Sequence, residues 1–267
     1  MKLGISSYAY TWAIGVSGNI PERPLDYYGL CEKAIQLGIS KIQFADNLPL
    51  DKFTDAELDR FAFKAEQNCL QLEAGARGMT EESLSKYIEI ASKIGSPLLR
   101  FVIDGNGFTP DIMTVISIIK NAVSVLERKN IILALENYER FKTHQFAEIV
   151  EKVGSEQVGI CLDTVNSLGA AESLDTVIET LGPLTVNLHL KEFVIKRCHH
   201  KMGYTIEGLP FGEGMLNIES LLKKVSKRCD SAILEQWVPP ESNLECTVRR
   251  EDEWAKKSIS YLKSFFE

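Results

Sequence analysis

No stretch of this chain approaches the roughly 20 consecutive apolar residues that a membrane-spanning helix needs. The opening MKLGISSYAYTW carries no apolar core of signal-peptide length. No membrane partner is expected, and the expected location is the cytoplasm. The six cysteines, at 31, 69, 161, 198, 229 and 246, are scattered and form no CxxC pair. That argues against a disulfide framework or a zinc knuckle and suits reduced thiols. An excess of Lys and Arg is missing as well: the net charge is −7. Phosphate-backbone binding depends on those residues, so no nucleic-acid partner is expected. A small anionic substrate stays open, because it needs only a local cationic pocket. There is also no Pro/Gly/Ser-rich linker, low-complexity tract or close repeat, which makes a single domain over residues 1–267 the economical reading.

What is present is an alternation of two patterns. Short apolar runs, many of them β-branched, recur as KLGISS, KIQFAD, LQLEAG, LLRFVI, IILALE, VGICLD, TVNLHLKEF and AILEQW. Between them lie segments with apolar residues near period 3.6. Examples are Leu84, Tyr87, Ile88, Ala91 and Ile94, and then Val115, Ile118, Ile119, Ala122 and Leu126. Gly38, Gly95, Gly154 and Gly182 stand where helices should stop. Near-continuous apolar strands imply a sheet buried on both faces and therefore parallel. Eight βα units in a 267-residue chain have the dimensions of a (β/α)₈ barrel, with an open doubly wound sheet as the rival.

Barrel chemistry collects where the strands end. The fifth expected strand runs ILALE, four apolar residues into Glu136. The sixth ends in Asp163, the seventh carries His189 and the eighth carries Glu235. Alternation along each strand puts Ala134 with Glu136, Cys161 with Asp163, Asn187 with His189 and Lys191, and Ile233 with Glu235 and Trp237. If these ends converge, carboxylate pairs about 4 Å apart repel by about 4 kcal/mol each at an effective dielectric near 20. A divalent cation would reverse that sign. Oxygen-rich ligation with one imidazole favours Mn²⁺, Mg²⁺ or Co²⁺, with Zn²⁺ as an alternative.

At ALEN, GICLDTVN, NLHLKE, GLPFGEG (208–214) and ILEQW the chain resembles the xylose isomerase-like barrel family. That family includes sugar-phosphate isomerases, ketose 3-epimerases, inosose dehydratases and hydroxypyruvate isomerases. The resemblance implies one divalent metal held by Glu136, Asp163, His189 and Glu235, with Glu136 and Glu235 as the acid/base pair flanking the substrate. A Lewis acid on a carbonyl and its neighbouring hydroxyl acidifies the C–H between them, giving an enediolate. The leading expectation is therefore a metal-dependent isomerase or epimerase of a small sugar, keto-sugar or sugar phosphate. The alternative is a lyase, a dehydratase or decarboxylase acting on a keto-sugar, an inosose or a keto-sugar acid. A third reading is a sugar-binding barrel without catalysis. Many relatives have His three residues after the metal-binding Asp; here the residue is Asn166, which can hold a substrate hydroxyl but carries no proton. With only four histidines, at 144, 189, 199 and 200, the multi-metal nuclease branch is disfavoured. Related barrels are often homodimers or homotetramers, and either assembly is consistent with the resemblance.

Further residues join the expected pocket. Lys191 should point to the same side as His189 and can neutralise an enediolate oxygen or a substrate carboxylate, so it is read as catalytic. Family members place a basic substrate contact in the loop after the seventh strand, which points to Arg197. That loop, VIKRCHHKMGYTIEGLPFGEG, is expected to lack regular structure and to act as a partial lid. Tyr8 and Trp12, in the period-two run SYAYTW, and Trp237 are expected to form an apolar wall against the substrate.

Overall fold

The structure, a computed structural model, describes residues 1–105 and 107–266, so Asn106 and the last residue of the expected span lie outside it. The first seven strands are β1 (Lys2–Ser6), β2 (Lys41–Phe44), β3 (Gln71–Arg77), β4 (Leu98–Val102), β5 (Ile132–Glu136), β6 (Val158–Asp163) and β7 (Thr185–Leu190). They are followed by β8 (Phe193–Arg197), β9 (Tyr204–Gly208) and β10 (Ser231–Leu234). All but β8 and β9 form a closed parallel barrel in which β10 bridges β7 and β1. The (β/α)₈ expectation holds, and each apolar run of the sequence supplies one barrel strand.

The helices are α1 (Thr11–Ile14), α2 (Tyr27–Gln36), α3 (Asp55–Gln67), α4 (Glu81–Lys93), α5 (Ile112–Lys129), α6 (Thr143–Val153), α7 (Leu174–Leu181), α8 (Ile218–Lys224) and α9 (Leu244–Phe266). Their starts are chemically set. Asp26, Thr80, Asp111 and Ser173 each accept a backbone N–H of the first turn, and Thr54 forms a capping box with Glu57. Gly38, Gly95 and Gly154 end helices at φ of 64°, 68° and 66°. Gly182 differs: its φ is −51°, because α7 tightens directly into a 3₁₀ turn instead of stopping in the left-handed region.

Two apolar layers follow from strand alternation. The larger lies between barrel and helices, where Phe44 of β2 meets Phe61 of α3 edge-on at 5.3 Å. The smaller lies inside the barrel and comprises Leu98, Ala134, Cys161 and Val186. Above it the interior turns polar. Gln43, Glu73, Asn187 and Ser231 are buried and hydrogen-bonded to one another, which satisfies groups that would otherwise cost free energy.

The segment after β7 corrects the expectation of an unstructured loop. Phe193–Arg197 and Tyr204–Gly208 pair as an antiparallel hairpin, with Ile195 opposite Ile206. Glu192 secures its return, accepting backbone N–H groups from Phe193 and Leu216 at 3.0 Å each. The alternation VIKR and YTIE is a strand signal, obscured in the sequence by its polar and glycine-rich surroundings.

Candidate active site

The register of the barrel brings the strand-end residues together. Asp163 lies directly across from His189 between β6 and β7, and His189 across from Ile233 between β7 and β10, two residues before Glu235. His189 Nδ1 is 3.3 Å from Glu235 Oε1, 3.4 Å from Glu136 Oε2 and 4.0 Å from Asp163 Oδ2. All four residues are buried. Lys191 Nζ reaches Asp163 Oδ2 at 2.6 Å and Glu235 Oε2 at 2.9 Å.

Each of these groups is oriented by a neighbour. Gln43 Nε2 donates to Glu73 and Asn187, so its Oε1 faces His189 Nε2 at 2.7 Å as an acceptor. That fixes the proton on Nε2 and leaves the Nδ1 lone pair of a neutral ring aimed at the carboxylates. Asp163 Oδ1 accepts the amides of Val165 and Asn166 at 2.9 Å, which keeps Oδ2 turned inward. Asn137 clamps the end of β6 by accepting from Asp163 N at 2.7 Å and donating to Asp163 O at 3.0 Å. Asn166 Nδ2 donates to Glu136 Oε1 at 3.0 Å.

Arg100, from the middle of β4, completes the cluster. Its Nε donates to Glu136 Oε2, and its Nη1 is 2.8 Å from Asp46 Oδ1. Tyr8 donates its hydroxyl to Asp46 Oδ2 at 3.0 Å. Burial works against the charged forms of Arg100 and Lys191. The carboxylates around them outweigh it and hold both above their ordinary range. For Glu235, burial favours the neutral acid, yet His189 and Lys191 hold its carboxyl well below the usual range. Burial likewise opposes a charged His189, but Glu235 and Glu136 overcome this and draw the ring toward protonation.

The cluster has the chemistry of a divalent-cation site. His189 Nδ1 and Glu235 Oε1 are buried without a hydrogen-bond partner among the described residues. Asp163, His189 and Glu235 offer ligand atoms all within 4.8 Å of one another. Among the described residues, Asp46, Glu136, Asp163 and Glu235 face Arg100, Lys191 and, at 3.5 Å from Asp46, Arg77, which leaves one negative charge in excess. A divalent cation neutralises that excess and takes the place of the proton His189 would otherwise attract. The residues present therefore suit such an ion.

A model of the xylose isomerase-like TIM barrel family matches residues 31–265. The chain belongs to this family. Among curated proteins, the 3-oxo-isoapionate decarboxylase of Pectobacterium atrosepticum is 30% identical over 264 residues, covering 98% of this chain and 95% of that protein. Among solved structures, D-psicose 3-epimerase of Clostridium cellulolyticum H10 with D-tagatose superposes at TM-score 0.73 with 17% identity, covering both chains fully. The IolI protein with a bound zinc atom superposes at 0.68 with 15% identity, covering 98% and 99%. At these identities the two solved structures speak to the fold alone.

The strand ends open into a cavity of about 580 Å³. Tyr8, Trp12, Asn166, Lys191 and Trp237 line it together with Glu136 and Glu235. Trp12 and Tyr8 share its wall by helical spacing, because SYAY is a 3₁₀ turn running into α1 and not a strand with period two. Tyr10 consequently turns away and reaches Asp252. Trp237 is 41% exposed at the rim, with Lys191 Nζ 5.8 Å from its ring centroid. The structure does not bring Arg197 to the cavity lining: it sits on the exposed hairpin, its Nη1 donating to Lys201 O at 3.0 Å and its guanidinium 4.8 Å from the Tyr204 ring centroid. Arg100, Gln43 and Asn137 escaped sequence reasoning. Arg100 had a signal, a charge in the centre of the apolar run LLRFVI.

Proposed function

We propose that this protein is a divalent-metal-dependent decarboxylase of a 3-oxo sugar acid. The observation that carries this reading is the Arg100–Glu136 ion pair. An epimerase needs two opposed carboxylates, each able to take up a proton. Glu136 is held by the Arg100 guanidinium and the Asn166 amide, and protonating it would leave a buried cation half paired. Decarboxylation asks for less: an electron sink and one proton delivered afterwards. The 30% identical relative named as a 3-oxo-isoapionate decarboxylase, aligned over nearly its whole length, supports the same choice.

Glu136, Asp163, His189 and Glu235 would hold the ion. When bound, the ion supplies a Lewis acid that draws electron density toward a substrate carbonyl. In the reaction, the bond between the carboxylate carbon and its neighbour breaks and CO₂ leaves. The electron pair passes into the adjacent 3-oxo group as an enolate, and one proton is then added to the carbon that lost CO₂. Lys191, kept charged by Asp163 and Glu235, adds a fixed positive charge near the developing oxyanion. Tyr8, Trp12 and Trp237 wall the cavity and exclude water from the substrate face. The donor set of carboxylates and one imidazole suits Mn²⁺, Mg²⁺, Co²⁺ or Zn²⁺, and a related barrel was solved with zinc.

The second reading, a ketose 3-epimerase, is favoured by one observation. Glu136 and Glu235 approach His189 from different strands at nearly equal distances, 3.4 and 3.3 Å. One experiment separates the two. Mn²⁺-loaded protein is incubated in D₂O with a panel of 3-oxo sugar acids and of ketoses. The decarboxylase reading expects CO₂ release from an acid with one deuterium in the product's new C–H bond. Deuterium exchange in a ketose without loss of carbon, and no CO₂ from any acid, would replace it with the epimerase.

A further inference from the structure

We infer that Arg77 is the anion-recognising residue of this cavity, the side chain that selects a sugar acid over a neutral sugar. The inference deepens the decarboxylase reading and rests on it for the identity of the substrate. Among the described residues, three cations line the cavity: Arg77, Arg100 and Lys191. Two are committed. Arg100 is 3% exposed and locked between Glu136 and Asp46, and Lys191 is held by Asp163 and Glu235.

Arg77 is different. Its side chain is 48% exposed, and its polar contacts among the described residues are long: 3.5 Å from Nη1 to Asp46 Oδ2 and 3.4 Å from Nε to Asp104 O. Asp46 is already engaged more closely by Arg100 at 2.8 Å and Tyr8 at 3.0 Å, so it competes weakly for Arg77. The planar fork of the guanidinium therefore has N–H groups to offer, in the geometry that a carboxylate accepts in pairs.

The backbone beneath it is fixed. Arg77 ends β3, and the next residue, Gly78 at φ +79°, donates its N–H to Val102 O at 3.0 Å. A Cβ at Gly105 would lie 2.8 Å from Gly78 N, so the chain after β4 closes against this turn. A fixed base carries an exposed cationic head. The charges elsewhere on the lining orient a guest: Asp46 is paired with Arg100 and Glu207 with Lys196 at 3.0 Å, while Glu139 is acidic and repels the negative end of a bound molecule, which favours Arg77. The contact also suits the turnover. It exists while the substrate carries its carboxylate and vanishes when CO₂ leaves, so the neutral product is bound less tightly. Because it stabilises the ground state, loss of Arg77 falls chiefly on KM.

The test uses titration calorimetry on the Mn²⁺-loaded protein with L-threonate and with the uncharged L-threitol. Wild type is expected to bind threonate at least about tenfold more tightly, the worth of a charge-assisted pair. Arg77→Gln should bring the two ligands to about equal affinity, and Arg77→Lys should restore part of the preference. A preference that survives Arg77→Gln, or none in the wild type, overturns the inference. The CO₂ assay is independent: CO₂ release with an unchanged threonate preference in Arg77→Gln sinks Arg77 alone, whereas an Arg77-dependent preference without CO₂ from any acid sinks the decarboxylase alone.

Discussion

Arg100 and Glu136 form an ion pair sealed into the barrel mouth, with each side chain only 3% exposed. They sit on adjacent strands, Arg100 across from Ala134 and therefore two residues below Glu136, so the long arginine side chain reaches up along the barrel interior to the carboxylate. Both charges have lost their water, and each is tolerated because the other is there. Arg100→Met is expected to lower stability by about 3–5 kcal/mol, the cost of leaving buried carboxylates unmatched. Urea unfolding of the metal-free protein measures it, and a loss below about 1 kcal/mol would mean that water or a shifted Asp46 already screens Glu136.

Gln43 governs His189 without facing the substrate. Its Oε1 takes the Nε2–H of the ring and so presents Nδ1 to the carboxylates. Gln43→Leu removes that acceptor with little change in volume and frees the ring to adopt the other tautomer or turn. Mn²⁺ affinity is expected to fall about 10–100-fold, as for other residues that orient a ligating imidazole. Isothermal titration with Mn²⁺ tests it; an unchanged affinity would show that the carboxylates alone carry binding.

Much of this site was legible in the sequence because its residues stand where strand periodicity changes. ALE, CLD and ILE each finish an apolar run with a carboxylate, LHL carries a histidine one residue from its end, and a parallel barrel of that length must gather strand ends at one mouth. Gln43 was not legible, and Arg100, though it stood out as a charge in LLRFVI, could not be assigned to the mouth. They lie inside strands, where a polar residue is indistinguishable from one on the outer face until the register is known. The β8–β9 hairpin was lost because two short strands that pair only with each other leave most of their side chains exposed, and that exposed alternation resembles a loop.

The excess of carboxylates over cations in the cluster should make the fold itself sensitive to divalent ions. Mn²⁺ at about 100 times its dissociation constant is expected to stabilise the protein by about 2.7 kcal/mol, and a chelator to remove that gain. Asp163→Asn withdraws one charge and one ligand, and the Mn²⁺-dependent rise in thermal midpoint should shrink while the metal-free midpoint stays level or rises. Differential scanning fluorimetry reads both; a full Mn²⁺ response in Asp163→Asn would exclude that carboxylate as a ligand.

Glu251 gives the fold a pH dependence of its own. It is buried on α9, and its two oxygens accept the Trp12 and Ala13 amides at 2.9 Å each, which ties the C-terminal helix to the cavity wall. Burial raises its pKa from 4.5 to about 7, more than those two amides lower it, with Asp252 adding to the rise. Between these values the folded state binds a proton that the unfolded chain has released. The sign follows: this group's contribution is fully present below pH 4.5, declines as pH rises toward about 7, and is flat above it. The loss across the window is at most about 3 kcal/mol. Glu251→Gln cannot ionise, so urea midpoints taken from pH 5 to pH 8 should decline less steeply in the variant than in wild type. Parallel slopes in the two proteins would place the titration on another group.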